Sequence, residues 1–305
     1  MKIEEQLNLL VNFVKSSIDN DYVYLDIPGY FNVGDHLIYN GAMRVLQEHV
    51  PFKCLYQTVI ENFDDKRIGS GDIIILQGGG NWGGGYYTPF RTRIIEQFPN
   101  NKIILFPQTI RYEDSSKMCM DAKIYAKHHN LHLCVRDTAS FKILEDYFSS
   151  NYLHLLPDTA VGLVGALPKY VTGKAERGLL LKRTDGEASE DKWEIDDVDI
   201  ETKDWNLILE ELNFANLLWP YKVLRKARRM TGSLCLKNLS NRYFIKTFEP
   251  WILKHVPEYF LRYNKLYTTR LHGFILAKLL EMPVEWQDTR YGKISGYFNT
   301  WFEND

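Results

Sequence analysis

Short, continuously apolar runs alternate along the first half of the chain with stretches whose apolar positions recur every three or four residues. The runs 22–25, 72–76, 102–106, 131–135 and 153–156 read as strands, with Pro107 and Pro157 closing two of them. Segments 35–49, 92–98, 115–129 and 139–148 carry the helical period. Strands that are apolar on both faces and alternate with helices predict a parallel sheet in a doubly wound α/β domain. Segment 162–173, with Pro168 and several glycines, reads as a hinge. A second α/β unit starts at the strand 178–182. It closes with a strand at 265–269, a helix at 274–280 stopped by Pro283, a strand at 284–286 and a short helix at 297–302. The expected architecture is α/β, with two Rossmann-like domains over 1–165 and 166–305 facing a cleft. The final helix is free to pack back on the first domain.

Composition narrows the classes. A formal net charge of −2 over 305 residues gives no global reason to bind nucleic acid. The amphipathic start, 1–18, carries charges among its apolar positions, unlike a signal peptide, and no apolar run approaches the roughly 20 residues of a membrane span. Cys54, Cys119, Cys134 and Cys235 are scattered without metal-type spacing, which fits reduced thiols in a cytoplasmic protein. The second half is polarised: 184–211 holds twelve acidic residues against Lys192 and Lys203. No acid occurs over 213–248, where Lys222, Arg225, Lys226, Arg228, Arg229, Lys237, Arg242 and Lys246 are basic. One interpretation is two solvated faces that neutralise each other. The other is peripheral contact with the inner face of a membrane through 217–246, using Leu217, Leu218, Trp219, Tyr221, Val223 and Leu224 as anchors.

Candidate chemistry concentrates at strand ends. Arg270-Leu271-His272 follows the strand 265–269 and precedes a helix, whose N-terminus attracts anions. An arginine there can grip a carboxylate or phosphate in a forked geometry, and a histidine can move a proton near neutral pH. Gly78-Gly79-Gly80-Asn81-Trp82-Gly83 satisfies a dinucleotide-type spacing after a strand, but Gly84, Gly85, Thr88 and Pro89 delay the helix. No acid for a ribose ends the next strand, leaving either a glycine-lined floor for a ligand or a conformational turn. Asn32 and Gly34 allow a tight turn in which Asp35 can cap a helix. Arg136 and Arg183 end two further strands, Arg136 beside Asp137 as a ligand contact or a local charge pair. His128, His129 and His132 lack an accompanying acid and read as a solvated helix end rather than a metal site.

Taken together, these pieces resemble the polysaccharide pyruvyl transferase family. The resemblance rests on Asn32-x-Gly34-Asp35, Gly78-Gly79-Gly80-Asn81, Pro107-Gln108-Thr109, Val135-Arg136-Asp137 with Ser140, and Pro157-Asp158. Lys182-Arg183 with Asp185 and Glu187, Arg270-Leu271-His272-Gly273 and Tyr291-Gly292-Lys293 follow in order. The chain departs from the family pattern at Gly84 and at Thr269, where an acid often stands. The resemblance implies a fold similar to the GT-B glycosyltransferases and transfer of a pyruvyl group from phosphoenolpyruvate to two hydroxyls of a saccharide acceptor, free or lipid-linked, giving a ketal and phosphate. It implies His272 as acid/base, with substrate contacts from Arg136, Arg270, Leu271, Arg183, Asn32, Asp35, Gly79, Gly80 and Asn81, and neither metal nor nucleotide cofactor. A nucleotide-sugar glycosyltransferase, with Asp185 and Glu187 as base or ribose contacts, and a non-catalytic saccharide-binding protein are the rival classes.

Overall fold

The computed structural model describes residues 1–30, 32–84, 86–173, 176–186, 188, 193, 195 and 199–303. Two compact units divide the chain. The first holds Met1–Gly29, Gly41–Gly162 and Gly296–Asp305; the second holds Tyr30–Asn40 and Leu163–Ser295. Segment 30–40, placed by sequence with the first domain, thus groups with the second.

Along residues 1–155 the order is α1 (Ile3–Ser17), β1 (Tyr22–Leu25), α2 (Val33–His49, its start in the second unit), β2 (Cys54–Gln57), β3 (Ile73–Leu76) and β4 (Gly79–Trp82). Then come α3 (Tyr87–Gln97), β5 (Ile103–Ile110), α4 (Ser115–Tyr125), β6 (Leu131–Val135), α5 (Thr138–Tyr147) and β7 (Tyr152–Leu155). The strands form a parallel sheet in the order β2-β1-β3-β5-β6-β7, with β4 paired to the far end of β5. Ile73 to Leu76, Ile103 to Leu105 and Leu131, Leu133 and Val135 are wholly buried, as strands covered on both faces must be. Trp82, Tyr125 and Phe148 pack together beneath them.

The second unit contains β8 (Gly178–Leu181), β9 (Ile200–Lys203), α6 (Trp205–Glu211), α7 (Ala215–Thr231), α8 (Leu234–Tyr243) and α9 (Glu249–Phe260). β10 (Lys265–Thr268), α10 (Leu271–Leu279) and β11 (Val284–Trp286) complete its parallel sheet, ordered β11-β10-β8-β9. The last helix, α11, spans Lys293–Trp301. No helix among the described residues is long and apolar enough to cross a membrane. Two parallel sheets, each interleaved with helices, make the expected pair of Rossmann-like units.

Several local expectations change. β5 runs on through Pro107 to Ile110, so the proline does not end it. The glycine run 79–82 is itself a strand on β5, rather than an open loop. β2 and β9 escape the apolar-run criterion because they are edge strands with one face partly exposed.

Candidate active site

In the second unit the chemistry gathers at the C-terminal ends of β8, β9 and β10, the edge where open α/β sheets bind ligands. α10 begins one residue after Arg270, so Arg270 stands at the N-cap position, and its side chain does not cap the helix. It runs instead to Asp204, directly after β9. Nε donates to Oδ1 at 2.5 Å and Nη2 to Oδ2 at 2.6 Å, a two-pronged pairing that fixes the guanidinium plane. Asp204 also accepts from the Thr184 hydroxyl (2.8 Å) and from the Trp205 N–H (2.7 Å), which caps α6. Burial pushes the Asp204 carboxyl up, but hydrogen bonds and charge from Arg270, with help from Thr184, outweigh it and leave Asp204 below its ordinary value. Asp204 is therefore ionised at neutral pH. Nη2 also lies 3.5 Å from Asp185.

Arg183 is built into the same edge. Its N–H donates to the Thr269 hydroxyl at 2.8 Å, and its Nε to Asp185 at 2.6 Å. Thr269 thus ties the ends of β8 and β10 together, while the carboxylate beside Arg270 comes from Asp204. Sequence reasoning missed Asp204. It was one of twelve acids in a charged stretch, and only its place after β9 sets it apart. Glu187 lies outside the described residues.

His272 is the second residue of α10, and its ring lies against the second residue of α2. A Cβ on Gly34 would fall 2.7 Å from His272 Cγ and 2.9 Å from its Cβ, closer than such atoms approach. Only glycine at 34 leaves room for this imidazole, so the first turns of two helices meet at His272. Their partial positive charges make an anion favourable there. Just before α2, Asn32 Oδ1 accepts the Gly34 N–H at 3.2 Å, and Asn32 Nδ2 donates to Asp35 at 2.7 Å. Asn32 therefore takes the capping place expected of Asp35, because the helix starts at Val33. The Tyr30 hydroxyl also donates to Asp35, at 2.7 Å.

Behind this loop lies His36, 1% exposed. Its Nδ1 is 2.9 Å from Glu249 Oε1 and its Nε2 2.9 Å from the Tyr30 carbonyl oxygen. Both partners are acceptors, so both ring nitrogens donate and the imidazolium fits the site. Burial opposes that charge, but Glu249, the Tyr30 carbonyl and Asp35 outweigh it and raise the His36 pKa above its ordinary value. Since the folded value exceeds the unfolded one of about 6.5, the pair's contribution is complete below that pH and declines as pH rises through the folded value. Thermal melts across pH should show the advantage of wild type over His36→Gln shrinking on the alkaline side. A constant difference would contradict the charged pairing.

The first unit has its own polar cluster, also at strand C-termini. Asp26, one residue past β1 and at φ 51°, accepts the Gln77 N–H at 2.5 Å and Arg91 Nε at 2.7 Å. The remaining Arg91 nitrogens reach Asn81 Oδ1 and the Gln77 carbonyl, each at 3.0 Å. Asn81 thus turns to Arg91, and Gly79, at φ 134° where side-chain-bearing residues rarely sit, brings β4 alongside Gln108 with Gly80 following. Arg136 is 2% exposed. It donates from Nη1 to Asp158 at 2.5 Å and from Nε to the Thr109 hydroxyl at 2.9 Å, so the local pair with Asp137 does not form. Asp137 instead caps α5 through the Ser140 N–H at 2.8 Å. Trp301 on α11 donates to the Arg136 carbonyl at 2.8 Å. A ligand reaching this guanidinium meets one already engaged.

His128 bonds to the Phe98 carbonyl and His132 faces His154 at 3.1 Å. Burial, followed by His154, pulls His132 down to about 4.

Comparison with known proteins shows what the chain is similar to. The sequence profile of the polysaccharide pyruvyl transferase family matches residues 32–284. "Putative pyruvyl transferase EpsO" of Bacillus subtilis is 30% identical over 99% of this chain and 91% of its own length. Pyruvyl transferase 1 of Schizosaccharomyces pombe is 25% identical over 97% of this chain and 74% of its own. An uncharacterised Klebsiella pneumoniae protein of known crystal structure, KP1_0663, shares the fold. Its TM-score is 0.55 at 21% identity, over 98% of this chain and 94% of that one.

Proposed function

The chain belongs to the polysaccharide pyruvyl transferase family, and on that premise we propose that its donor is phosphoenolpyruvate, its acceptor a pair of saccharide hydroxyls, and His272 its acid/base. The observation that carries the reading is the meeting of His272 with Gly34 at two helix N-termini, one residue pair from an arginine held by Asp204. Phosphoenolpyruvate is a small polyanion and calls for cations and oriented N–H groups. Arg270 and the amides of Leu271 and His272 supply them, with Arg183 beside them.

His272 gives a proton to the methylene carbon, and the adjacent carbon takes on oxocarbenium character. A sugar hydroxyl attacks that carbon and returns its proton to His272. The C–O bond to phosphate then breaks with the arginines neutralising the leaving group, and the second hydroxyl closes the ketal as its proton passes to the departing phosphate. One phosphate leaves for each ketal formed. Asn32 and Asp35 hold Gly34 in place against the ring. Gly79, Gly80 and Asn81 shape the first unit's sheet edge, and Arg136 steadies it through Asp158.

Isotope-labelled phosphoenolpyruvate should release phosphate only with acceptor present and leave its three carbons on the sugar, detected by mass spectrometry. Turnover of a nucleotide sugar instead, or glycan binding without turnover of either donor, would overturn the proposal. In the same assay Arg270→Lys should raise the apparent KM for the donor by tenfold or more, on the order of the 1.5–3 kcal/mol of a charged hydrogen bond, since lysine cannot reproduce the fork on Asp204.

A further inference from the structure

The connection from β9 to β10 contains α6, α7, α8 and α9, where a parallel crossover needs only one helix. α6 packs on β9, and α9 meets it through Tyr259, whose hydroxyl accepts from Lys203 Nζ at 2.7 Å; α7 and α8 are additional. They form a hairpin about Gly232, which ends α7 at φ 63°, while Ser233 caps α8 through the Leu236 N–H. The inner side is anchored by aromatic packing: Tyr221 against Phe244 and Phe248, and Phe214 against Phe248 and Trp251.

The outer side is different. Trp219, Val223, Lys226 and Met230 recur at i, i+4, i+7 and i+11 and so share one face of α7. All four are exposed, Trp219 at 69% and Met230 at 77%. Lys222 and Arg229 border the stripe and are exposed as well. On α8 Leu234 and Leu239 are exposed too, as are the cations Arg242 and, just after the helix, Lys246. No acidic residue occurs anywhere over 213–248, so nothing within the segment neutralises these cations.

An apolar stripe with a bulky tryptophan, edged by lysine and arginine on one helix, matches the chemistry of a bilayer interface: acyl-chain boundary for the stripe, lipid phosphates for the cations. A merely solvated face would not expose Trp219, Val223 and Met230 together in one stripe. Nucleic acid would suit the cations but leave the aliphatic side chains without a partner.

We propose that the outer face of the α7–α8 hairpin docks the protein reversibly on an anionic membrane surface. Trp219, Val223 and Met230 insert at the headgroup level, and Lys222, Lys226 and Arg229 contact lipid phosphates. The proposal stands on this surface alone and is independent of the donor chemistry above.

Flotation of the full chain with vesicles tests it. The protein should float with phosphatidylcholine mixed with phosphatidylglycerol, stay behind with phosphatidylcholine alone, and be released as salt rises. Lys222→Glu with Lys226→Glu and Arg229→Glu should lower the partition coefficient by roughly a hundredfold, at about tenfold or less per cation. Trp219→Ser with Met230→Ser should reduce binding at unchanged charge. Both sets lie on the exposed side, so melting temperature and transfer to a water-soluble acceptor should match wild type. Failure of wild type to float, equal flotation on both vesicle types, or indifference to both variant sets would overturn the proposal. So would a wild-type dimer that Trp219→Ser dissociates without any lipid binding, which would assign the face to a second copy. If the charge variant does not fold, the lipid and salt dependence of wild type decides.

Discussion

His272→Ala should lower turnover by about 10²–10⁴-fold, the typical contribution of a positioned acid/base, while the melting temperature stays near that of wild type. The substitution removes a half-buried side chain at a helix start. Steady-state assays with phosphoenolpyruvate and a saccharide acceptor check it, and near-normal turnover would end the assignment. The contact with Gly34 gives a second handle. Gly34→Ala places a methyl group within 2.7 Å of His272 Cγ, so something must shift. In wild type this should cost about 1–3 kcal/mol of stability, as overpacking does, together with most of the activity. In the His272→Ala background the ring is gone and only the alanine Cβ, at 2.9 Å, still crowds the methyl group, so the stability cost should fall. Additive losses across the four proteins would mean that the two residues do not touch.

The largest stability effect is expected in the first unit. Asp26 and Arg91 are both fully buried, and their partners Gln77 and Asn81 satisfy the other donors and acceptors. Arg91→Met strands the Asp26 carboxylate, and Asp26→Ala strands the guanidinium. Each should cost about 3–5 kcal/mol, the usual penalty for an uncompensated buried charge, or roughly 10 °C of melting temperature for a domain of this size. Asp26→Asn is the informative control. Asparagine tolerates the left-handed backbone at φ 51°, so its deficit isolates the lost charge from the backbone. Thermal melts that place all three variants within a degree or two of wild type would show that the network does not hold this edge of the sheet.

The parallel sheets and most of their strands were legible in the chain because a strand buried on both faces must be apolar at every position. Ile73–Leu76 is apolar and buried throughout, and Leu131–Val135 departs from that only at half-buried His132. Edge strands such as β9 give no such run. The helices of the β9–β10 connection were hidden as well: their amphipathic pattern is interrupted by Pro220 and dominated by charge. At the candidate site, Arg270, His272 and Gly34 announced themselves by type and place. Glycine before a helix and a charged pair after a strand are unusual enough to be seen in one dimension.

The partners of those residues were decided only by folding. Asp204 reaches Arg270 from 66 residues away, and Glu249 reaches His36 from 213. No local pattern encodes such distances, because a carboxylate in a charged stretch is indistinguishable from its solvated neighbours until the sheet fixes which one faces the guanidinium. By itself the sequence determined the α/β class, the parallel sheets and the residue types of the candidate site, since each follows from burial or backbone geometry along a short stretch. The tertiary structure alone decided that Gly34 makes room for His272, that Asp204 orients Arg270, and that Arg136 is engaged by Asp158. These depend on contacts between segments far apart in the chain, where desolvation and close packing select one partner among many.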